Sequence, residues 1–132
     1  MSSDKRNIDV LRHIIQYCDE IEETHTHFSR SFEIFESNVA YKNAIALCVL
    51  QIGELAGRLS DDFRQVYDGA PWKSIKGLRN IVAHQYGQID VEVLWNTSTK
   101  KTQELKNYCV SIIEKHSLLE QAANEIEPIE EE

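Results

Sequence analysis

The chain has 132 residues, 42% of them hydrophobic and 27% charged, and a formal net charge of −8. This length and composition favour a single globular domain and exclude a disordered chain. The longest unbroken apolar run, residues 44–50, is far shorter than the ~20 residues of a membrane-spanning helix. The N-terminus also lacks the apolar segment of a secretion signal. We therefore expect a cytoplasmic protein that does not enter a membrane.

The three cysteines are consistent with a reducing compartment. Cys18, Cys48 and Cys109 lie far apart in apolar stretches, form no C-x-x-C pair and are odd in number. This pattern predicts buried, reduced thiols rather than a disulfide framework.

The acidic charge is concentrated at the C-terminal end of the chain. Residues 120–132 contain six of the 22 acidic residues and no basic one, which leaves 16 acidic and 14 basic residues in the body. Within that nearly neutral body, residues 69–89 contain Lys73, Lys76 and Arg79 and no carboxylate. A local basic surface of this kind can hold a few phosphates although the whole chain is acidic.

Apolar residues recur at three- and four-residue spacing almost throughout, and no segment alternates as a half-buried strand would. The fold is therefore predicted to be all-α, an up-and-down bundle of four to five main helices. The first helix is expected to start after Asp4 and to run to about Thr24. Its apolar stripe consists of Ile8, Leu11, Ile14, Ile15, Cys18 and Ile21. A turn over residues 26–31 then leads to a brief helix around Phe32 and Phe35.

The most apolar helix is predicted over about residues 39–59, capped by Ser37 or Asn38, as the buried centre of the bundle. Ser60 is the expected N-cap of a short helix that ends near Asp68.

Two further helices complete the prediction. Pro71 is expected at the first position of a helix that ends at Gly87. Asp90 is expected to cap the last long helix. The domain is predicted to cover residues 1–121, followed by a disordered acidic tail over residues 122–132.

The helix predicted over residues 71–87 carries the chemically versatile side chains. At 100° per residue, one arc of this helix faces the core and holds Ile75, Leu78, Ile81 and Val82. The opposite arc holds Lys76, Arg79, Asn80, His84 and Tyr86. Arg79 and His84 lie about 140° apart on an ideal helix, so they flank a shallow strip floored by Ala83. A phosphate could lie across this strip between them.

An arginine and a histidine on one exposed arc suit phosphodiester cleavage. Imidazole transfers protons near neutral pH, and guanidinium presents planar donors that match phosphate oxygens. The spacing alone is weak evidence, because single Arg and His side chains on a helix face are more often solvated or paired with a neighbouring helix.

The string from Arg79 to Tyr86, RNIVAHQY, resembles the R-x-x-x-x-H-x-Y signature of HepT-like toxins in the HEPN superfamily, small all-helical ribonucleases of bacteria and archaea. The resemblance covers nearly the whole chain, since flanking residues are also similar to the family's pattern: Pro71, Trp72, Asn80, Ile89, Asp90, Ile52, Gly53 and Glu54. Gly87 departs from it, because the family commonly places an aromatic residue there. That departure affects the expected loop shape and leaves the Arg and the His in place.

The resemblance implies an endoribonuclease that needs no metal and no cofactor, with Arg79 and His84 as its catalytic residues. His84 would take the proton from a ribose 2′-OH, and the oxygen would attack the adjacent phosphorus. Arg79 would stabilise charge on the non-bridging oxygens, and a 2′,3′-cyclic phosphate would result. Lys76, Asn80 and Tyr86 are the expected substrate-positioning residues.

The resemblance also implies partners. Members of the family usually dimerise so that the motifs of two protomers line one cleft, which suits the wide angle between Arg79 and His84. Their antitoxin resembles a minimal nucleotidyltransferase and transfers AMP to the motif tyrosine, here Tyr86. We therefore expect a homodimeric toxin of a toxin-antitoxin pair that acts on RNA.

Other conspicuous residues have ordinary structural interpretations. Glu54 lies in the most apolar helix, and Arg58, four residues later, is its expected partner. Gly53 and Gly57 are expected to allow a close helix crossing. Trp72 could stack on a base or pack beneath a neighbouring helix.

Two histidines complete this set. His25 and His27 would point apart on a helix, and no zinc site is expected there.

Three other classes of function remain open on the residues alone. One is a HEPN domain that binds nucleotides, or the substrate of a nucleotidyltransferase, without cleaving RNA; the intact Arg79, His84 and Tyr86 disfavour it. Another is a helical adaptor whose exposed arc is a protein interface. The least favoured is a nucleic-acid-binding regulator, because the chain is acidic and has no helix-turn-helix pattern.

Overall fold

The computed structural model describes residues 3–85 and 90–130, with the side chains of residues 4–80 and 90–125. The described residues form helices and short connections without a β-strand, which confirms the all-α prediction. The helices are α1 (Ser3–His27), α2 (Phe32–Ser37), α3 (Val39–Ala56), α4 (Asp61–Val66), α5 (Trp72–Gln85), α6 (Val91–Asn96) and α7 (Thr102–Glu130). A π-helical turn, Thr97–Lys101, joins α6 to α7.

Helix α3 is the centre of the bundle. It packs against α1 on one side and α5 on another, while α7 packs along α1 and the short α2 covers one end of α3. Tyr41, Ile45 and Ile52 of α3 are essentially inaccessible to solvent. Most of the predicted stripe of α1 is also in the core, with Leu11, Ile14 and Ile21 fully buried and Ile8 and Cys18 nearly so, while Ile15 is half-buried.

The predicted helix caps are confirmed at three positions. The side chain of Asn38 accepts a hydrogen bond from the amide of Tyr41 at 2.9 Å, and that of Ser60 accepts from Phe63 at 3.2 Å. The carboxylate of Asp90 accepts from the amide of Glu92 at 2.8 Å. Each cap satisfies one of the amides that a helix start leaves without an intrahelical partner.

Several helix ends differ from the prediction by one to three residues. Helix α1 continues past Thr24 to His27, and α3 ends at Ala56. Pro71 precedes α5 instead of occupying its first position, and its carbonyl accepts a hydrogen bond from Ile75 at 3.0 Å. The predicted end of this helix, Gly87, lies outside the described residues.

The C-terminal segment also differs from the prediction. Helix α7 runs to Glu130, beyond the expected domain end at residue 121. The side chains of residues 117–125 are all exposed, so no packing against the core fixes this part of the helix. Glu, Gln and Ala are strong helix formers, which accounts for helix without burial. The domain boundary stays a prediction.

Helix α3 is also the described helix whose length and mean hydropathy, 18 residues and 1.2, suffice to cross a membrane. Half of it is buried inside the bundle. The central helix of a globular core meets the same criteria.

A buried histidine lies at the centre of an aromatic cluster next to the π-helical turn. The His25 ring makes edge contacts with Tyr41 and Trp95, at centroid distances of 5.5 and 5.1 Å, and lies 6.4 Å from Phe35. Tyr41 in turn stacks on Phe28 at 4.3 Å. His27, two residues on, is exposed, so the two histidines do point apart as expected.

Both nitrogens of His25 are hydrogen-bonded. The Ser98 hydroxyl donates to the Trp95 carbonyl at 3.2 Å, so it accepts from Nε2–H of His25 at 3.0 Å. Nδ1 is then left to accept from the hydroxyl of Tyr41. The neutral imidazole therefore fits this site, and it links α1, α3 and the π-helical turn.

The π-helical turn buries polar residues that a regular helix would place on different faces. Thr97, Ser98 and Thr99 are consecutive and all buried. The amide of Thr102 bonds to the Thr97 carbonyl, five residues back, and Arg30 donates to the Thr99 carbonyl at 3.0 Å. These contacts satisfy groups that burial would otherwise leave without partners.

The three cysteines are free and buried, as the sequence predicts. Burial raises the pKa of Cys18 and Cys109 to about 12 and that of Cys48 to about 11. All three are therefore thiols rather than thiolates at neutral pH, and unreactive.

The buried His25 predicts a pH-dependent stability. Burial, and to a smaller extent the Arg30 guanidinium, lower the pKa of His25 from 6.5 to about 4. Between these values the unfolded chain binds a proton that the folded chain does not, so the free energy of unfolding falls as pH drops from about 6.5 to about 4. The expected loss is at most about 3 kcal/mol.

Urea unfolding at several pH values between 7 and 4 measures this loss. His25→Gln keeps a donor and an acceptor but cannot titrate, so it should lose much of the pH dependence. His13→Gln, a change at an exposed histidine of α1, should keep it. Equal pH dependence in the wild type and His25→Gln would contradict the assignment.

Candidate active site

The site is built where α5 crosses α3 at Gly53. A Cβ atom at this position would lie 2.8 Å from the backbone nitrogen of Arg79 and 3.0 Å from the carbonyl oxygen of Ile75. Both distances are below van der Waals contact, so only glycine permits this separation of the two backbones. The close crossing expected for Gly53 is thereby confirmed.

The crossing brings Glu54 beside Arg79. The Nε–H of Arg79 donates to Oε1 of Glu54, and the two side chains are 54% and 33% exposed. The expected pairing of Glu54 with Arg58 is therefore wrong. Arg58 is one turn away along the chain and exposed, whereas Arg79 approaches from the neighbouring helix because Gly53 leaves room for it.

The ion pair leaves the end of the arginine available. The two terminal nitrogens of Arg79 have no hydrogen-bond partner among the described residues. A guanidinium held through Nε presents these nitrogens as a planar fork, the arrangement that binds two oxygens of a phosphate or carboxylate. An exposed pair of this kind contributes at most about 1 kcal/mol to stability, so its main effect is to orient Arg79.

Other predicted residues of α5 divide between the surface and the core. Lys76 and Asn80 are exposed, as predicted. Ile75 is buried and Leu78 half-buried, as expected for the core-facing arc. Trp72 is only 5% exposed, which removes base stacking as its role and confirms packing under a neighbouring element.

The start of α5 is held by two hydrogen bonds that the sequence did not predict. The indole N–H of Trp72 donates to the carbonyl of Tyr67 at 2.7 Å. The amide of Gly69 donates to the hydroxyl of Tyr108 on α7 at 2.8 Å. These bonds fix the connection between α4 and α5 and so position the first turn of α5.

The remaining motif residues are described only in part. The backbone of His84 lies in the last turn of α5, five residues after Arg79, and its side chain lies outside the described residues. Tyr86 lies outside them altogether. The geometry of these two residues at the site stays a prediction.

No group of three or more His, Cys, Asp or Glu side chains that could hold a metal ion occurs within residues 4–80 and 90–125.

Comparison with known proteins identifies the family. The family model described as "Ribonuclease HepT-like" matches residues 14–112, a stretch that runs from α1 into α7 and includes Glu54, Arg79 and His84. The chain belongs to this family of HepT-like ribonucleases. Its all-helical bundle is the HEPN-like fold that the motif implied.

Curated relatives agree with this assignment. "Putative RNase MJ1216" of Methanocaldococcus jannaschii is 32% identical over 112 residues, covering 83% of this chain and 89% of the relative. "Putative RNase TTE0752" of Caldanaerobacter subterraneus is 30% identical over 105 residues, covering 80% and 92%. "Probable ribonuclease HepT" of Thermococcus cleftensis is 30% identical over 100 residues, covering 74% and 87%. No solved structure matches the chain.

The tight crossing at Gly53 predicts a strong effect of a single methyl group. Gly53→Ala should destabilise the protein by about 1–3 kcal/mol, because the new Cβ meets backbone atoms that cannot rotate away. Gly77→Ala, in α5, is the control, since nothing lies within 4 Å of its Cβ position. It should be neutral or stabilising by up to about 1 kcal/mol. Urea unfolding of both variants checks this, and a Gly53→Ala protein as stable as the wild type would be inconsistent with the crossing.

Proposed function

We propose that this ribonuclease is the toxin of a toxin-antitoxin pair, a cytoplasmic, metal-independent endoribonuclease. The observation that carries the proposal is Arg79, held at the surface through its Nε by Glu54, while its terminal nitrogens have no hydrogen-bond partner among the described residues. Membership of the HepT-like ribonuclease family supplies the class of substrate, RNA. His84, five residues further along the same helix, is the proposed proton-transfer group.

The proposed reaction is an internal phosphoryl transfer. His84 accepts the proton of the ribose 2′-OH, and the 2′-oxygen attacks the adjacent phosphorus. Arg79 binds the non-bridging oxygens, where negative charge builds up in the transition state. The bond between phosphorus and the 5′-oxygen breaks, and that oxygen leaves with a proton from the imidazolium or from water. The products are a 2′,3′-cyclic phosphate and a 5′-hydroxyl end.

Glu54 has a positioning role in this scheme. Its carboxylate accepts the hydrogen bond from Nε–H of Arg79, which leaves the terminal nitrogens of the guanidinium to bind the phosphate. Two exposed neighbours of Arg79 on α5 are proposed to contact the RNA beside the scissile phosphate. They are Lys76, one turn before Arg79, and Asn80, the residue after it.

Cleavage in the presence of a chelator is the first test. The wild-type protein should cleave RNA in EDTA, because the mechanism uses only side chains. His84→Ala should lose activity by about 10²-fold or more, the usual size of a general acid-base contribution. His13→Ala, on α1, should cleave normally. Cleavage that requires added divalent metal, or an unimpaired His84→Ala protein, would refute this mechanism.

The active form is proposed to be a homodimer. The ideal register of α5 separates Arg79 and His84 by about 140°. Two copies that face one cleft would allow an Arg of one chain to act with a His of the other.

Mixing two inactive variants tests the dimer. Arg79→Ala and His84→Ala chains should each be inactive, and subunit exchange should restore part of the activity, because a heterodimer has one intact Arg and one intact His in the shared cleft. Light scattering reports the assembly independently. A fully active monomer would contradict the shared cleft.

Tyr86 is proposed as the residue through which the activity is controlled. A minimal nucleotidyltransferase antitoxin would join the Tyr86 oxygen to the α-phosphorus of ATP, with release of pyrophosphate. The attached AMP would place an anion and a bulky base at the end of the motif helix, where it competes with RNA for Arg79.

Mass spectrometry after co-expression with a neighbouring nucleotidyltransferase gene tests this control. Wild-type protein should gain about 329 Da per AMP and lose activity in parallel. Tyr86→Phe keeps an aromatic ring without the acceptor oxygen and should gain nothing. An unmodified wild type, or equal modification of Tyr86→Phe, would exclude Tyr86 as the acceptor.

A further inference from the structure

The exposed face of the first half of α5 carries two residues, Lys73 and Gly77, that the proposed cleavage site does not use. Lys73, Lys76, Gly77 and Asn80, which form what we call the α5 strip, fall within about 100° of one another on the helix. All but Gly77, which is half-buried, are exposed. The strip spans about 10 Å of helix axis and ends beside Arg79.

The α5 strip carries two positive charges, those of Lys73 and Lys76. Neither Lys73 nor Lys76 forms an ion pair with a carboxylate within the described ranges. Both line a shallow depression between α4 and α5, together with Arg64. Asp61 also lines this depression and pairs with Arg64. The charges of Lys73 and Lys76 are not balanced by a carboxylate among the described lining residues, so the depression has a net positive charge.

No contact or backbone conformation in the described part of the chain requires a glycine at position 77. A Cβ there would meet no atom within 4 Å, and its φ is not positive, so neither packing nor backbone conformation requires glycine. Glycine inside a helix costs about 1 kcal/mol relative to alanine. Gly53 contrasts with it, because there the neighbouring helix fills the space. At Gly77 the open space beside the helix is available to a molecule from outside the chain.

We propose that the α5 strip is the track of a single RNA strand that runs from the Arg79 site toward the start of α5. This rests on the proposed function. Lys76 and Lys73 bind the backbone phosphates next to the scissile one, and Arg64 binds the end of the track. The ribose-phosphate chain lies against the helix at Gly77. At the ~3.4 Å rise of a stacked strand, the track holds about three nucleotides.

RNA fits the α5 strip better than an acidic protein surface does. The cations follow one line along the helix, and this line continues directly into Arg79, the proposed ligand of the scissile phosphate. A strand held at Arg79 must leave the site along some path, and the strip offers cations together with open space at Gly77. If several cations bind a polyanion, its affinity should fall steeply with salt concentration, more steeply than a single ion pair would cause.

The test is the affinity for a single-stranded RNA of about twelve nucleotides, measured by fluorescence anisotropy in a His84→Ala background at several salt concentrations. Lys73→Glu and Lys76→Glu should each weaken binding about tenfold at ~0.1 M salt and lower the salt slope by about 0.7 for each phosphate that the variant no longer neutralises. Lys115→Glu, the same charge change on exposed α7, is the control. Equal RNA affinities of these three variants would overturn the proposed track.

Gly77→Ala separates RNA contact from folding. The variant should be at least as stable as the wild type and yet bind this RNA about threefold more weakly, because the methyl group occupies the space of the strand. Unchanged affinity would remove Gly77 from the track. If these losses occur and the wild type cleaves no RNA, the track stands and the proposed function fails. If the wild type cleaves and the strip variants bind normally, only the track fails.

Discussion

The site depends on one close approach, that of α5 to α3 at Gly53. The absence of a side chain there sets the distance between the two helices, and that distance decides whether Glu54 reaches Arg79. An arginine on an exposed helix face would otherwise sample many rotamers at a cost in entropy whenever it binds an anion. Held through Nε, it offers its terminal nitrogens in a fixed direction. In the proposed function, this packing constraint sets the geometry of the group that binds the phosphate.

The rest of the bundle keeps this crossing in place. Helix α3 is buried between α1 and α5, and the bond from Gly69 to Tyr108 ties the start of α5 to α7. At another part of α3, neutral His25 connects Tyr41 with the π-helical turn through hydrogen bonds on both ring nitrogens. A buried polar network of this kind is favourable only when every member is satisfied, and it then specifies one packing arrangement.

The sequence could predict the features that depend on local chemistry. Helix class, the caps Asn38, Ser60 and Asp90, and the exposure of Lys76 follow from periodicity and short-range hydrogen bonding. The partner of Glu54 could not be predicted in this way, because Arg79 and Arg58 are equally plausible until the helix separation at Gly53 is known. The buried network of His25 is unpredictable for a similar reason, since the π-helical turn that brings Ser98 to it has no local signature.

Kinetic coupling between Glu54 and Arg79 tests the central claim most directly. Glu54→Gln should lower kcat/KM for RNA about tenfold in the wild type, because the amide holds Nε weakly and the guanidinium loses its orientation. In an Arg79→Lys background, which keeps the charge and lacks the fork, the same change should have little further effect. Urea unfolding should show that each variant is folded. Equal losses from Glu54→Gln in both backgrounds would contradict the account, because Glu54 would then act independently of Arg79.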